Sequence, residues 1–408
     1  MRGAFRDGRS SETGLLTNWP EEGPEVLWRQ ELGDGYSGVV VDGGSVVTMF
    51  GAAGDEWAAA FDARTGAERW RVRTDSNFRD AQGGGPRSTP AIADGIVYAV
   101  GAQARLFAID LESGEVKWQH DLRKEYGAQT PEYGYSASPL VDGDVLVVDA
   151  AGKKSHGAIA FDRHTGKVLW HADNHRPAYS APLVVTIGGV RQYVFFVGEG
   201  LISLDAADGR RLWMVGWQSE FDVNAAMPVF VPASGIFISS GYSDQGALIQ
   251  VVNETRGFKA YQLWKGRTMK NDFHPAVLDG GQLYGFDGST LKCIDVLTGD
   301  ELWRARHGGY ARGSLLWADG HLLVLGGQGK LGLIEATPDE FRLRGSAKIL
   351  TGSTWSQGAL ADGVFYARDP ESLVAVRVGH PPATLPVVEP LAPSADAGGA
   401  SGPSRRPD

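Results

Sequence analysis

The sequence predicts an all-β protein, an eight-bladed β-propeller of four-stranded blades whose N- and C-terminal strands pair in one blade. Three observations predict it. The phrase Ala158-Ile159-Ala160-Phe161-Asp162-Arg163-His164-Thr165-Gly166-Lys167-Val168-Leu169-Trp170 reads as a hairpin: an apolar strand ends at Asp, turns at Thr-Gly and returns to Trp. It recurs with its Asp, turn Gly and Trp at Asp62, Gly66 and Trp70, at Asp110, Gly114 and Trp118, at Asp205, Gly209 and Trp213, and at Asp295, Gly299 and Trp303. Finally, 56 glycines with 10% aromatic and 42% hydrophobic residues suit many short strands joined by tight turns.

Taken in order, an irregular arm covers 1–24, the propeller 25–378 and a Pro/Ala/Gly/Ser-rich tail 379–408. The tail buries too little apolar surface to offset its ordering entropy and is expected to be disordered. The segment 25–32 ends a repeat whose first strands are missing there, while 363–366 and 372–378 supply inner strands that lack a Trp strand. The two ends complete one blade, which hides the edges of an open sheet. Between them, eight openings lead through an apolar run to an Asp-Gly or similar turn, beginning near Gly35, Arg87, Ser138, Ser180, Ala226, His274, Ser314 and Gln357.

Outer strands carry Trp28, Trp70, Trp118, Trp170, Trp213, Trp264 and Trp303, at spacings from 39 residues (Trp264 to Trp303) to 52 (Trp118 to Trp170). The eighth is degenerate, and the unit ending at Trp264 has Val252-Asn253-Glu254 where the Asp turn belongs. Each indole is expected to wedge between neighbouring blades, burying on the order of 200 Å², roughly 5 kcal/mol gross. The Trp and Asp-Thr-Gly positions are therefore read as framework.

The net charge of −10 and the absence of a Lys/Arg stripe argue against nucleic acid. One cysteine, Cys293, allows neither an intrachain disulfide nor a cysteine metal cluster, and its strand position predicts a small buried apolar residue. No stretch approaches the roughly 20 apolar residues of a membrane span, and Met1-Arg2-Gly3-Ala4-Phe5-Arg6-Asp7-Gly8 lacks a signal-peptide core.

The phrase Ala-x-Asp-x-x-Thr-Gly-x-x-x-x-Trp resembles the tryptophan-docking repeat of the pyrroloquinoline-quinone-like propeller superfamily, over about Glu25 to Val378. That superfamily includes quinoprotein alcohol dehydrogenases and the BamB-like lipoprotein of outer-membrane assembly. A narrower resemblance, to exported bacterial propellers, rests on Arg2-Gly3-Ala4-Phe5-Arg6-Asp7-Gly8, Gly85-Pro86-Arg87-Ser88-Thr89-Pro90, Gly188-Gly189-Val190-Arg191-Gln192-Tyr193 and Tyr284-Gly285-Phe286-Asp287-Gly288. The resemblance implies a periplasmic or exported protein.

In a propeller the openings of the inner strands gather around one mouth of the central channel. The residues expected there are Tyr36, Arg87, Tyr135, Tyr179, Asp222, Asn224, Asp272, His274, Arg312 and Trp355, a set suited to a planar or anionic ligand or to a solvated rim of paired charges. The resemblance to quinoproteins implies a base Asp, a calcium ligand and an Arg beside pyrroloquinoline quinone, for which Asp272, Asn224 and Arg87 or Arg312 are the right residue types, with Trp355 in the same cofactor-binding set. Those enzymes usually add a vicinal Cys pair, which Cys293 alone cannot form.

Other chemistries are weaker. His171 and His175 stand four apart without a helix to put them on one face, and no Gly-x-Ser-x-Gly elbow occurs. Asp222 and Asp272 suit glycoside hydrolysis only at the right separation. The leading expectation is a non-enzymatic, monomeric scaffold for a protein or peptide partner in the cell envelope, needing no cofactor and no metal. The alternative is a dehydrogenase using pyrroloquinoline quinone and calcium.

Overall fold

A computed structural model describes residues 6–306 and 309–380. The expected disorder of the tail concerns, beyond His380, residues outside that range. Eight four-stranded antiparallel sheets form the body. Blade 1 has strands Val40–Asp42, Ser45–Ala52, Asp55–Asp62 and Glu68–Ser76, in that order from the axis outward. Blades 2 to 7 follow the same order over 91–121, 140–172, 183–216, 229–266, 277–305 and 314–348. Blade 8 has Ala359–Ala361, Val364–Arg368 and Ser372–Arg377, and its outer strand is Val26–Glu31, paired antiparallel to Ser372–Arg377.

The first strands lie side by side around the axis: Val40–Asp42 touches both Ala91–Ala93 and Ala359–Ala361, and Val277–Asp279 touches Val229–Val231 and Ser314–Ala318. The middle strands are apolar on both faces because each blade is covered on both sides by its neighbours. Val46, Val47, Ala58, Ala59 and Ala60 are all fully buried.

The tryptophans join blade to blade. Trp28 Nε1 donates to Ala63 O at 2.9 Å, Trp70 to Leu111 O at 2.8 Å, Trp118 to Arg163 O at 3.0 Å and Trp170 to Ala206 O at 3.2 Å. Each acceptor directly follows the repeat Asp of the next blade, and each ring rests on that blade's turn glycine. Gly66, with φ +75°, leaves room that a Cβ would take at 2.7 Å from the Trp28 ring. The Asp holds the turn itself: Asp162 Oδ1 accepts from Thr165 N and Thr165 Oγ1, both at 2.8 Å.

The worn repeats show what the motif does. Blade 5 lacks the Asp turn, and Trp213 Nε1 finds Gln192 Oε1 in its own blade instead, at 2.8 Å. In blade 7 the Trp position is Gly345, opposite Leu333 as Trp303 is opposite Cys293. Trp19 from the N-terminal arm packs there, alongside Ala347. The arm, irregular by sequence, is bound to blades 6 to 8. Arg9 stacks 3.9 Å over Trp317 and pairs with Asp279 at 2.7 Å, and Glu12 accepts from the backbone N–H groups of Asp362 and Gly363. These anchors lie at the Asp-Gly turns, the face opposite the openings.

Candidate functional site

The openings converge on a cavity of about 210 Å³ on the propeller axis. Six aromatic residues from six blades wall it: Tyr36 (blade 1), Tyr133 (blade 3), Tyr179 (blade 4), Tyr242 (blade 5), Phe273 (blade 6) and Trp355 (blade 8). All six are half-buried. Trp355 stacks on Tyr36 at 5.3 Å between centroids and also meets Phe273 at 5.4 Å, while Tyr133 and Tyr179 are 5.7 Å apart. Tyr36, Tyr133, Tyr179, Phe273 and Trp355 precede the first strands of their blades; Tyr242 follows the second strand of blade 5, on the short turn Gly241–Ser243.

Charge at the mouth is paired. Arg87 lines the cavity, yet its side chain is only 8% exposed and is held by Asp80 at 2.8 Å and by the carbonyls of Gly83 and Gly85. The Gly83-Gly84-Gly85 segment, which joins blades 1 and 2, thus helps to lock that guanidinium, and its strand Gly83–Gly84 pairs with Arg79–Asp80. Arg87 also lies over the Tyr36 and Phe78 rings, at 5.5 and 5.0 Å.

Of the other expected site residues, Trp355 lines the cavity, whereas Asp272, Arg312 and Asn224 are not in its wall. Arg312 pairs with Asp272 at 3.3 Å. Burial raises the Asp272 carboxyl above its ordinary value, with Arg312 opposing. Asn224 is fully buried and donates from Nδ2 to Val197 O at 2.8 Å, although its neighbours Val223 and Ala225 reach the cavity. Its Oδ1 is buried with no hydrogen-bond partner. Asp222 is bound by Arg176 at 2.7 Å, and Tyr135 is sealed in the core of blades 2 and 3. His274 and Tyr179 do reach the cavity.

A calcium-held quinone asks for six to eight oxygens around the ion and cations for the quinone carboxylates. The wall supplies one carboxylate, Asp80, already spent on Arg87, and no group of three or more His, Cys, Asp or Glu among the described residues could hold a metal. The residues present do not fit that group.

Sequence reasoning missed Asp80, Tyr133, Tyr242 and Phe273 at the mouth. A signal existed for Phe273, an aromatic at an opening like Tyr36 and Trp355, but none for Tyr242, which no repeat position marks. It also missed two buried titratable sites. Glu56, fully buried, accepts from Phe78 N at 3.1 Å and Ala102 N at 2.9 Å, and burial pushes its carboxyl up to about 7. His175 donates to Asp149 Oδ1 at 2.8 Å and lies 3.9 Å from Asp173. Cys293 is fully buried, and burial raises its thiol to about 12.

The family described as outer membrane protein assembly factor BamB matches residues 9–129 and 54–289, well over half of the chain. The chain belongs to the BamB family. It lies within the pyrroloquinoline-quinone-like propeller superfamily, as its dehydrogenase relatives also indicate. BamB of Xanthomonas campestris is 27% identical over 292 residues, covering 68% of this chain and 65% of that protein. Quinoprotein alcohol dehydrogenase PedH of Pseudomonas putida is 28% identical over 138 residues, covering 32% of this chain and 23% of PedH. The chain thus spans less than two thirds of either relative. The crystal structure of BamB from Moraxella catarrhalis matches with a TM-score of 0.61 at 14% identity, over 86% of this chain and 99% of that one, a likeness of fold. Among the described residues of this BamB-like propeller, no helix is long and apolar enough to cross a membrane.

Proposed function

We propose that this propeller is a non-catalytic, exported binding scaffold that works as a monomer and engages a protein or peptide partner of the cell envelope at its mouth face. The observation that carries the reading is the state of the candidate catalytic groups: Arg87, Arg312 and Asp272 are each held by another side chain, and Asn224 is buried outside the cavity wall. A redox centre needs such groups turned toward its cofactor.

A partner-facing surface is supported by Phe221, on the loop leading to Val223. Its ring is 70% exposed and its φ is +56°, a strained conformation for a bulky side chain. BamB family membership supports an assembly role, and similarity to PedH over 138 residues supports the rival dehydrogenase reading.

Titration of the purified chain with pyrroloquinoline quinone and calcium decides between them. Absence of saturable binding up to high micromolar ligand is expected. Saturable binding that weakens in Asp272→Ala or Arg87→Ala, with turnover of an alcohol or sugar, would install the enzyme.

A further inference from the structure

The mouth cavity has a chemistry that neither an anionic cofactor nor a plain apolar ligand matches. Six aromatic side chains from six blades line it, and its one cation, Arg87, is neutralised by Asp80, gives three of its N–H donors to Asp80 and to the carbonyls of Gly83 and Gly85, and is nearly out of solvent. An anion entering here would be desolvated against a guanidinium already neutralised by Asp80 and against neutral donors such as Gln82 and Ser136, with no free cation to balance its charge.

The charges around the cavity lean the other way. Asp34, Asp272 and Asp222 stand around it, paired with Arg79, Arg312 and Arg176 respectively. Arg176 is shared with a second carboxylate, Glu199, at 3.0 Å, and Glu132, next to Tyr133, forms no ion pair among the described residues. The balance at the mouth is therefore negative, in keeping with a chain of net charge −10. Aromatic faces attract a cation through their quadrupoles, most strongly when it is desolvated. The wall already shows this in miniature, with the Arg87 guanidinium over Tyr36.

We infer that the mouth is an aromatic cage for an organic ammonium group, seated between the Tyr36–Trp355–Phe273 run and the Tyr133–Tyr179 pair, with Tyr242 closing the ring. The inference rests on the reading of the mouth as a binding site rather than a redox centre. The ammonium comes either from a small free molecule such as choline or from a lysine side chain of a peptide.

The test is calorimetry on the purified chain with four ligands: choline, its uncharged isostere with a tert-butyl group in place of trimethylammonium, an end-blocked lysine peptide, and pyrroloquinoline quinone with calcium. One of the two cations is expected to bind saturably, about tenfold or more tighter than the isostere. Choline binding alone identifies a free small cation, and preference for the peptide identifies a lysine side chain; both support the cage. Trp355→Leu should weaken cation binding about tenfold, and Tyr242→Leu, a change on a half-buried turn, gives the same reading if the first variant fails to fold. Equal affinity for choline and the isostere with no tighter binding of the lysine peptide, or no binding of either cation, overturns the cage and leaves the scaffold reading standing. Saturable binding of the quinone with calcium overturns that reading and the cage with it.

Discussion

Trp19 lies over Gly345, its ring 3.0 Å from where a Cβ of that glycine would stand. An arm residue thereby fills the one blade position from which the repeat tryptophan is missing, and the glycine is what lets it in. Trp19→Ala would empty this slot between the arm and blade 7. It is expected to destabilise the protein by about 2 kcal/mol, with the unfolding midpoint in urea as readout. A surface substitution at Lys117, which is exposed, should leave the midpoint unchanged.

Gly66 tests the same joint where the repeat is intact. Gly66→Ala places a methyl group 2.7 Å from the Trp28 ring on a residue with φ +75°. The left-handed backbone costs about 1–2 kcal/mol before the clash is counted, so a loss of about 2 kcal/mol or more is expected by urea denaturation. Gly189, also at positive φ but with open space around its Cβ position, should lose only the backbone part when changed to Ala.

His175 sets a stability slope at alkaline pH. Burial opposes its charge, but the carboxylates of Asp149 and Asp173 overcome that and raise it from 6.5 to about 9. The folded state therefore holds a proton that the unfolded chain releases, so the contribution is complete below pH 6.5 and is lost as pH rises through about 9. It amounts to at most about 3 kcal/mol. Urea titrations across this window should show the loss in the parent and a much shallower response in His175→Gln.

Glu56 acts in an earlier window with the same sign. Burial raises its carboxyl from 4.5 to about 7, so its contribution is complete below 4.5 and declines as pH rises through about 7. Asp75, its cross-strand neighbour, is raised by burial to about 6 and shares the window. Glu56→Gln should remove part of the fall in stability between these values while leaving the His175 slope intact. A variant whose profile matched the parent throughout would show that Glu56 does not carry it.

The fold was legible because the repeat is a local signal. Strand, Asp turn, glycine and Trp lie within a short stretch, and each sets a hydrogen bond or a contact that one hairpin and its neighbour complete. The degenerate units were legible as defects, but their repairs were not: Trp213 turns to Gln192 in its own blade, and Gly345 receives a ring from the arm. The mouth was legible in part. Tyr36, Arg87, Tyr179, His274 and Trp355 reach the cavity, while Asp272 and Arg312 pair outside it and Asn224 turns into the core.

By itself the sequence determined the number of blades, the tryptophan framework and the burial of Cys293, because periodicity and apolar alternation act between residues near in the chain or one repeat apart. Only the tertiary structure decided which cation is spent on which carboxylate, and that six rings from six blades share one cavity. Those contacts join loops separated by whole repeats. Ring closure sets their distances, and no local pattern encodes them.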